Sequence, residues 1–364
     1  MVDMRVIVAA SGLIIAAASA AADDYPALSV EIGAEVQLDR NYRVPAGARR
    51  NVDLFTNTEL LIGLGFTQEL SLQSKVKIEP LRTVSGDRFF GDTGAYVEEL
   101  YLRYEAEPFG LRAGKMGAGF GSAWEKLPAL YGKHEFAEDY EITERIGLGA
   151  SYKLDLGEAG THELGAAAFF LDSTALSNSA FTRPDRSDSR ASRPKRFSKG
   201  DPLSANTRSL ESFVATVNGE DIEPLPGFGY HLGYIFEKAG APALRDEQGF
   251  VVGLQQTFKA GDATITPFAE VAWFDNYQGE AGERTYLHLA AMGKWQSWLA
   301  NAVYARRWID RPAGTRDVAD HFFSLTGGYD LGDGLNLLAG WKTAREEGQT
   351  VRALGAMVTW AHKF

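Results

Sequence analysis

The side chains able to do covalent chemistry never gather into a working pattern along the 364 residues of this chain. Its six histidines, His134, His162, His231, His288, His321 and His362, show no HExxH or other metal-ligand spacing, so no metal residue is assigned. Serines are common, yet Gly-x-Ser-x-Gly is absent. Glu98 and Glu99 are neighbours, and in a regular strand neighbours point to opposite faces, so no acid-base pair is expected from them. The glycine-rich stretch from Gly114 to Trp124 lacks the Gly-Lys-Ser/Thr of a phosphate loop, and no helix pattern follows a buried strand. Its glycines read instead as letting the backbone bend. No catalytic residue and no cofactor-binding residue is assigned, and no enzyme is expected.

Charge is patterned where catalytic groups are not. Lys75, Lys77, Arg103, Arg112 and Arg145 fall on the water-facing parity of strand-like segments. The connection 118–144 carries Glu125, Glu135, Glu138, Asp139, Glu141 and Glu144 against Lys126, Lys133 and His134. If the two sets face each other, a transverse field arises that orders water and disfavours apolar solutes. The plainer reading is polar surface kept for solvation. Lys115 falls on the wrong parity, so a bulge or the end of its strand is expected near Gly114. Between Arg183 and Lys199, seven basic residues stand against Asp185 and Asp188, a local balance of +5. Such a patch would bind the phosphates of lipopolysaccharide, gather anions or meet a partner, unless it is only a solvated loop.

The elements that must position these charges alternate with period two. Leu28, Val30, Ile32, Ala34, Val36 and Leu38 oppose Ser29, Glu31, Gly33, Glu35, Gln37 and Asp39, one face apolar and one polar. The same alternation gives sixteen strands: 27–38, 50–66, 69–82, 94–105, 108–117, 145–154, 162–174, 208–217, 226–237, 247–259, 262–274, 284–294, 297–308, 319–330, 334–344 and 350–364. Connections alternate between long, such as 118–144 and 175–207, and tight, such as 105–107 and 295–296. The expected fold is all-β, a 16-stranded antiparallel transmembrane β-barrel, with 14 or 18 strands as the neighbouring even counts. Tyr96, Tyr104, Tyr152, Tyr234, Trp273, Trp298, Tyr304, Tyr329, Trp341 and Trp360 are expected to form girdles at the membrane interfaces.

Composition agrees. Cysteine is absent, glycine reaches 39, aromatics are 12% and the net charge is -11, which argues against a nucleic-acid partner. Residues 1–22 read as a cleavable signal peptide: Arg5, an apolar run from Val6 to Ala17, then small residues up to Ala22 before Asp23 and Asp24. No other apolar stretch of about 18 residues exists, so 23–364 is expected to be one barrel rather than a bundle of spanning helices.

The last strand, ending with Leu354, Ala356, Val358, Trp360 and Phe364 on one face, resembles the terminal strand by which bacterial outer-membrane barrels are recognised for insertion. Trp360 and Phe364 are its candidate signal residues, and His362 departs from the usual apolar or aromatic residue. In strand number and in the place of the long loop after the fifth strand, the chain resembles the general porins of Gram-negative bacteria. Leu111-Arg-Ala-Gly-Lys followed by Gly-Phe-Gly is similar to the phosphate-selective group, without its many lumen arginines. The resemblance implies passive diffusion of small hydrophilic solutes and ions through a water-filled channel. It implies loop 3 (118–144) as the constriction, with Lys75, Lys77, Arg103, Arg112, Arg145, Glu125, Glu135, Glu138, Asp139 and Glu141 as pore-lining candidates. It also implies an outer-membrane location, a homo-trimer, and outer-membrane lipid, lipopolysaccharide and the barrel-assembly machinery as partners, with no cofactor. A substrate- or anion-selective channel and a non-conducting structural or adhesive barrel are the alternatives.

Overall fold

The computed structural model describes residues 25–82, 84, 86–180, 198, 200–312 and 317–364. The expected signal segment and the basic residues between 183 and 199 lie outside the described residues. Sixteen strands form the wall: β1 (Ala27–Arg43), β2 (Asn51–Gly65), β3 (Leu70–Pro80), β4 (Thr93–Ala106), β5 (Phe109–Met116), β6 (Arg145–Asp155), β7 (Thr161–Leu171) and β8 (Ser212–Glu220). They continue as β9 (Phe228–Glu237), β10 (Glu247–Gln256), β11 (Ala263–Asp275), β12 (Glu283–Trp295), β13 (Trp298–Asp310), β14 (Val318–Gly332), β15 (Leu335–Glu346) and β16 (Gln349–Lys363). Each pairs antiparallel with its sequence neighbour, and β1 also pairs with β16, Ala34 opposite Trp360 and Val36 opposite Val358. The sheet therefore closes and leaves no edge strand to aggregate.

Closure fixes which parity faces where. Leu28, Leu38, Leu102, Leu111, Val252, Ile265, Leu337 and Val358 stand exposed on the outside, while Gln37, Asp39, Gln73 and Lys77 on the opposite parity are buried. This is the reverse of a water-soluble domain and the arrangement a hydrocarbon solvent selects. The strand ends that border the long connections (44–50, 81–92, 117–144, 172–211, 238–246, 276–282, 311–317) lie at one end of the barrel. The turns 66–69, 107–108, 261–262, 296–297 and 333–334 lie at the other. Boundaries differ from expectation most at β1, which runs on to Arg43 rather than 38, and at β8, which begins at Ser212 rather than 208. The β10–β11 ladder opens around Gln256 and Thr257, opposite Pro267 and Thr266, because the Pro267 ring leaves no N–H to donate.

Exposed rings crowd the short-turn end. Trp298 meets Tyr329 edge-on at 4.9 Å, and Phe109 meets Tyr152 likewise at 4.9 Å. His362 stacks on Trp360 at 5.7 Å and meets the Phe364 ring at 4.6 Å, so the unexpected residue continues an aromatic row. The Phe364 N–H donates to the Val30 carbonyl at 2.9 Å. Tyr96 corrects the girdle. It is 4% exposed, opposite Lys77, and its hydroxyl donates to Glu79 inside the barrel.

The reason is a bulge in β4. Lys75 pairs with Glu99 but Val76 pairs with Val97, so Glu98 is an extra residue in the ladder. A bulge places two successive side chains on one face and reverses parity beyond it. Both Glu98 and Glu99 consequently point inward, against the expectation that they oppose each other. Glu98 bridges Lys75 and Lys77, and Glu99 accepts from the Gly117 N–H at 3.2 Å.

Candidate functional site

The fifth connection (117–144, the candidate loop 3) enters the barrel and is held there. Gly114 sits at φ +137, and a Cβ on it would lie 2.5 Å from the Leu100 carbonyl, so the chain leaves β5 through a position that only glycine fills without strain. Three short helical turns follow, α1 (Ala123–Lys126), α2 (Ala129–Gly132) and α3 (Glu135–Glu138). Phe120, Leu127, Leu130, Phe136 and Ala137 are buried in one cluster with Phe268, Ala272, Phe274, Tyr286 and Phe322 of β11, β12 and β14. The lumen thus contains a small apolar core on one side, worth on the order of 1.5–3 kcal/mol for each large side chain buried.

Polar bonds fix the loop's register on that wall. Glu270, fully buried, accepts from the Ser122 N–H (2.9 Å), the Ala123 N–H (3.0 Å) and the Tyr140 hydroxyl (2.7 Å). Asp139 accepts from Arg307 at 2.8 Å and from the Tyr286 hydroxyl at 2.9 Å, while the Arg307 guanidinium lies 4.4 Å over the Phe136 ring. The Tyr131 hydroxyl donates to Asp39 at 2.8 Å, and the Thr326 hydroxyl donates to the Leu130 carbonyl at 3.1 Å. His134 stacks on Phe322 at 4.1 Å, and burial there, with Lys342 nearby, pushes its pKa down to about 3.

The opposite side of the lumen, along β1 to β4, receives no such apolar cover and carries charge. Lys75 and Lys77 reach Glu98 at 2.7 and 2.8 Å and Glu59 at 3.6 Å each. The wall strands there are not simply basic, as the parity of the lysines implied, because Glu59 and Glu98 balance them. Across from them the loop presents Trp124, with the Lys77 and Lys133 ammonium groups 6.0 and 5.9 Å from its ring. Glu125 and Glu141, half-buried between loop and wall, are raised by burial to about 7 and about 8, with Lys75 opposing the shift in both.

The remaining expected residues scatter. Glu135 and Glu138 are exposed on α3, whereas Asp139 is committed to Arg307. Arg103 pairs with Glu105 and stands opposite Arg112, four residues along β4 from Glu99, about 13 Å nearer the short turns at strand rise. Arg145 donates to Glu237 at 2.9 Å and to the Thr143 carbonyl at 2.9 Å, at the long-loop end. Glu144 turns away from the lumen cluster to Lys115, whose Nζ lies 3.3 Å from it and 2.9 Å from Asp172. That pocket is buried on the parity opposite Met116, beneath a segment of 172–180 that bridges Ala180 to Ala95. Burial would raise the Asp172 carboxyl, but hydrogen bonds from Ser177, Thr174 N–H and Lys115 hold it below the ordinary value.

Residue reading missed Glu270, Arg307, Tyr140 and Glu98. The signal for the first three lay in β11 to β14, where Phe268, Phe274, Tyr286 and Phe322 put apolar bulk on the inward parity. An apolar patch facing a wet lumen requires a cover.

No family model matches the chain, and no curated protein matches it. Solved structures do. The chain is similar to the outer membrane channel DcaP of Acinetobacter baumannii, with a TM-score of 0.61 at 11% identity over 92% of this chain and 97% of that one. Salmonella typhi OmpF gives a TM-score of 0.62 at 12% identity, with the same coverage of 92% and 97%. OmpT of Vibrio cholerae, an outer membrane protein described in its trimer form, gives 0.51 at 12% identity over 92% and 100%. At these identities the likeness is one of fold: the closed sixteen-stranded antiparallel barrel of outer-membrane channels.

Proposed function

We propose that this chain is an outer-membrane porin of a Gram-negative bacterium, passing small hydrophilic solutes and ions by passive diffusion. One observation carries the reading. Loop 3 is fastened to the β9–β15 side by an apolar core, while the β1–β4 side keeps a charged cluster whose Lys75 and Glu59 side chains, 20% and 27% exposed, call for water. A barrel of sixteen strands is wide enough to hold that water, unlike one of eight. Loop 3 is the constriction, and Lys75, Lys77, Glu125 and Glu141 line it. Arg103 and Arg112 line the approach from the short turns. Export through residues 1–22, insertion through Trp360 and Phe364 by the assembly machinery, and contact of the outer strands with lipid and lipopolysaccharide follow from the same reading. A trimer is supported by the trimer form described for the similar Vibrio cholerae protein.

Purified protein added to a planar bilayer should give discrete, ohmic current steps in potassium chloride. Absence of current at any voltage would sink the pore reading in favour of a plugged, structural barrel. Current that saturates with one solute would favour a selective channel.

A further inference from the structure

We propose that Glu98, turned inward by the β4 bulge, sets the charge preference of the passage and makes it favour cationic solutes. This rests on the reading of the chain as a conducting pore.

Without the bulge, the β3 wall would present Lys75 and Lys77 to the passage with Glu59 as their sole bridging partner. The extra residue brings Glu98 to 2.7 Å from one ammonium and 2.8 Å from the other, with a carboxylate side chain only 3% exposed. The two lysines are then spent on Glu98 and Glu59, four opposite charges that cancel. Glu99, turned inward by the same bulge, has Lys75 and Arg112 within electrostatic reach. What remains on this side is Glu35, Glu125, Glu138 and Glu141, four carboxyls with Lys126 and Lys133 as their counter-charges. Glu35 lies within electrostatic reach of Lys133 and Glu59, and Glu138 of Lys77 and Glu79. A passage with low-dielectric walls and an excess of one sign concentrates the opposite ion.

Acidity sharpens the signature. Glu125 faces Lys75, Lys126, Lys133 and Glu99, and Glu141 faces Lys75, Lys77, Glu98 and Glu125. With these carboxyls held at about 7 and about 8, each gains its charge as pH rises through neutrality, so cation preference grows between pH 6 and 9.

Reversal potentials across a potassium chloride gradient, in dilute salt, test this directly. The native protein should pass potassium over chloride by about threefold or more, rising from pH 6 to pH 9. Glu98→Gln should bring the ratio towards or below unity by releasing Lys75 and Lys77, whereas Glu107→Gln, exposed in the turn 107–108, should leave it unchanged. If Glu98→Gln does not assemble, Lys75→Gln reads the same balance in the other direction and should raise the ratio. A native pore that conducts without preference, prefers chloride, or ignores these substitutions overturns the proposal while leaving the pore reading intact. No current at all overturns both.

Discussion

At the residue scale, a single carboxylate does much of the fastening. Glu270 takes two backbone N–H groups and two hydroxyls, those of Ser122 and Tyr140, from loop 3, all inside the barrel. Glu270→Ala leaves the Ser122 and Ala123 N–H groups without this acceptor, at about 1–3 kcal/mol for each buried group. The loop should then leave its seat part of the time, and single-channel records should show larger, noisier conductance than the native protein. Identical current noise would show that the apolar core alone holds the loop. His134 adds an acid limit. Its pKa in the docked loop is about 3, below the ordinary 6.5, so the undocked loop takes up a proton first. A lowered histidine pKa means that docking is at full strength above about pH 6.5 and weakens as pH falls towards 3. Conductance noise should rise over that acid window and should do so less in His134→Phe. None of this was readable from His134 or Glu270 in isolation, since what they do depends on partners 130 or more residues away, such as Tyr140 for Glu270.

At the scale of elements, period-two alternation was enough to place all sixteen strands, with ends off by no more than about five residues at β1 and four at β8. It failed where the ladder is irregular. The bulge at Glu98 reversed parity for Tyr96 and brought Glu98 inward with Glu99, because nothing in Tyr-Val-Glu-Glu-Leu distinguishes a bulged strand from a regular one. The exit from β5 was more legible, since glycine at position 114 is needed for φ +137. Gly114→Ala places a methyl against the Leu100 carbonyl and forces an L-residue into a conformation costing about 1–3 kcal/mol. Its urea midpoint in detergent should fall accordingly, with the slope unchanged. An unaltered midpoint would mean the loop entrance relaxes without cost.

At the scale of the whole molecule, the barrel is lopsided. One side of its interior is packed like a soluble core and the other is lined by charged side chains, and the dividing line is loop 3. The sequence pattern showed the wall and the loop's length but not this division, because inward apolar residues such as Phe274 and Phe322 read as ordinary strand residues until their cover is known. The lopsidedness also constrains the order of assembly. The Leu130 carbonyl and its Thr326 donor are 196 residues apart, so the loop emerges long before the wall that receives it. Contacts so distant in sequence must wait for loop closure, and until then Phe120, Leu130 and Phe136 stay uncovered. A variant keeping Trp124 as its sole tryptophan should therefore report a slow refolding phase that follows strand formation seen by circular dichroism, and coincidence of the two would contradict it. Such a chain has to assemble with the apolar face of loop 3 still exposed, so the step that seats the loop is also the last step that makes the chain safe from self-association.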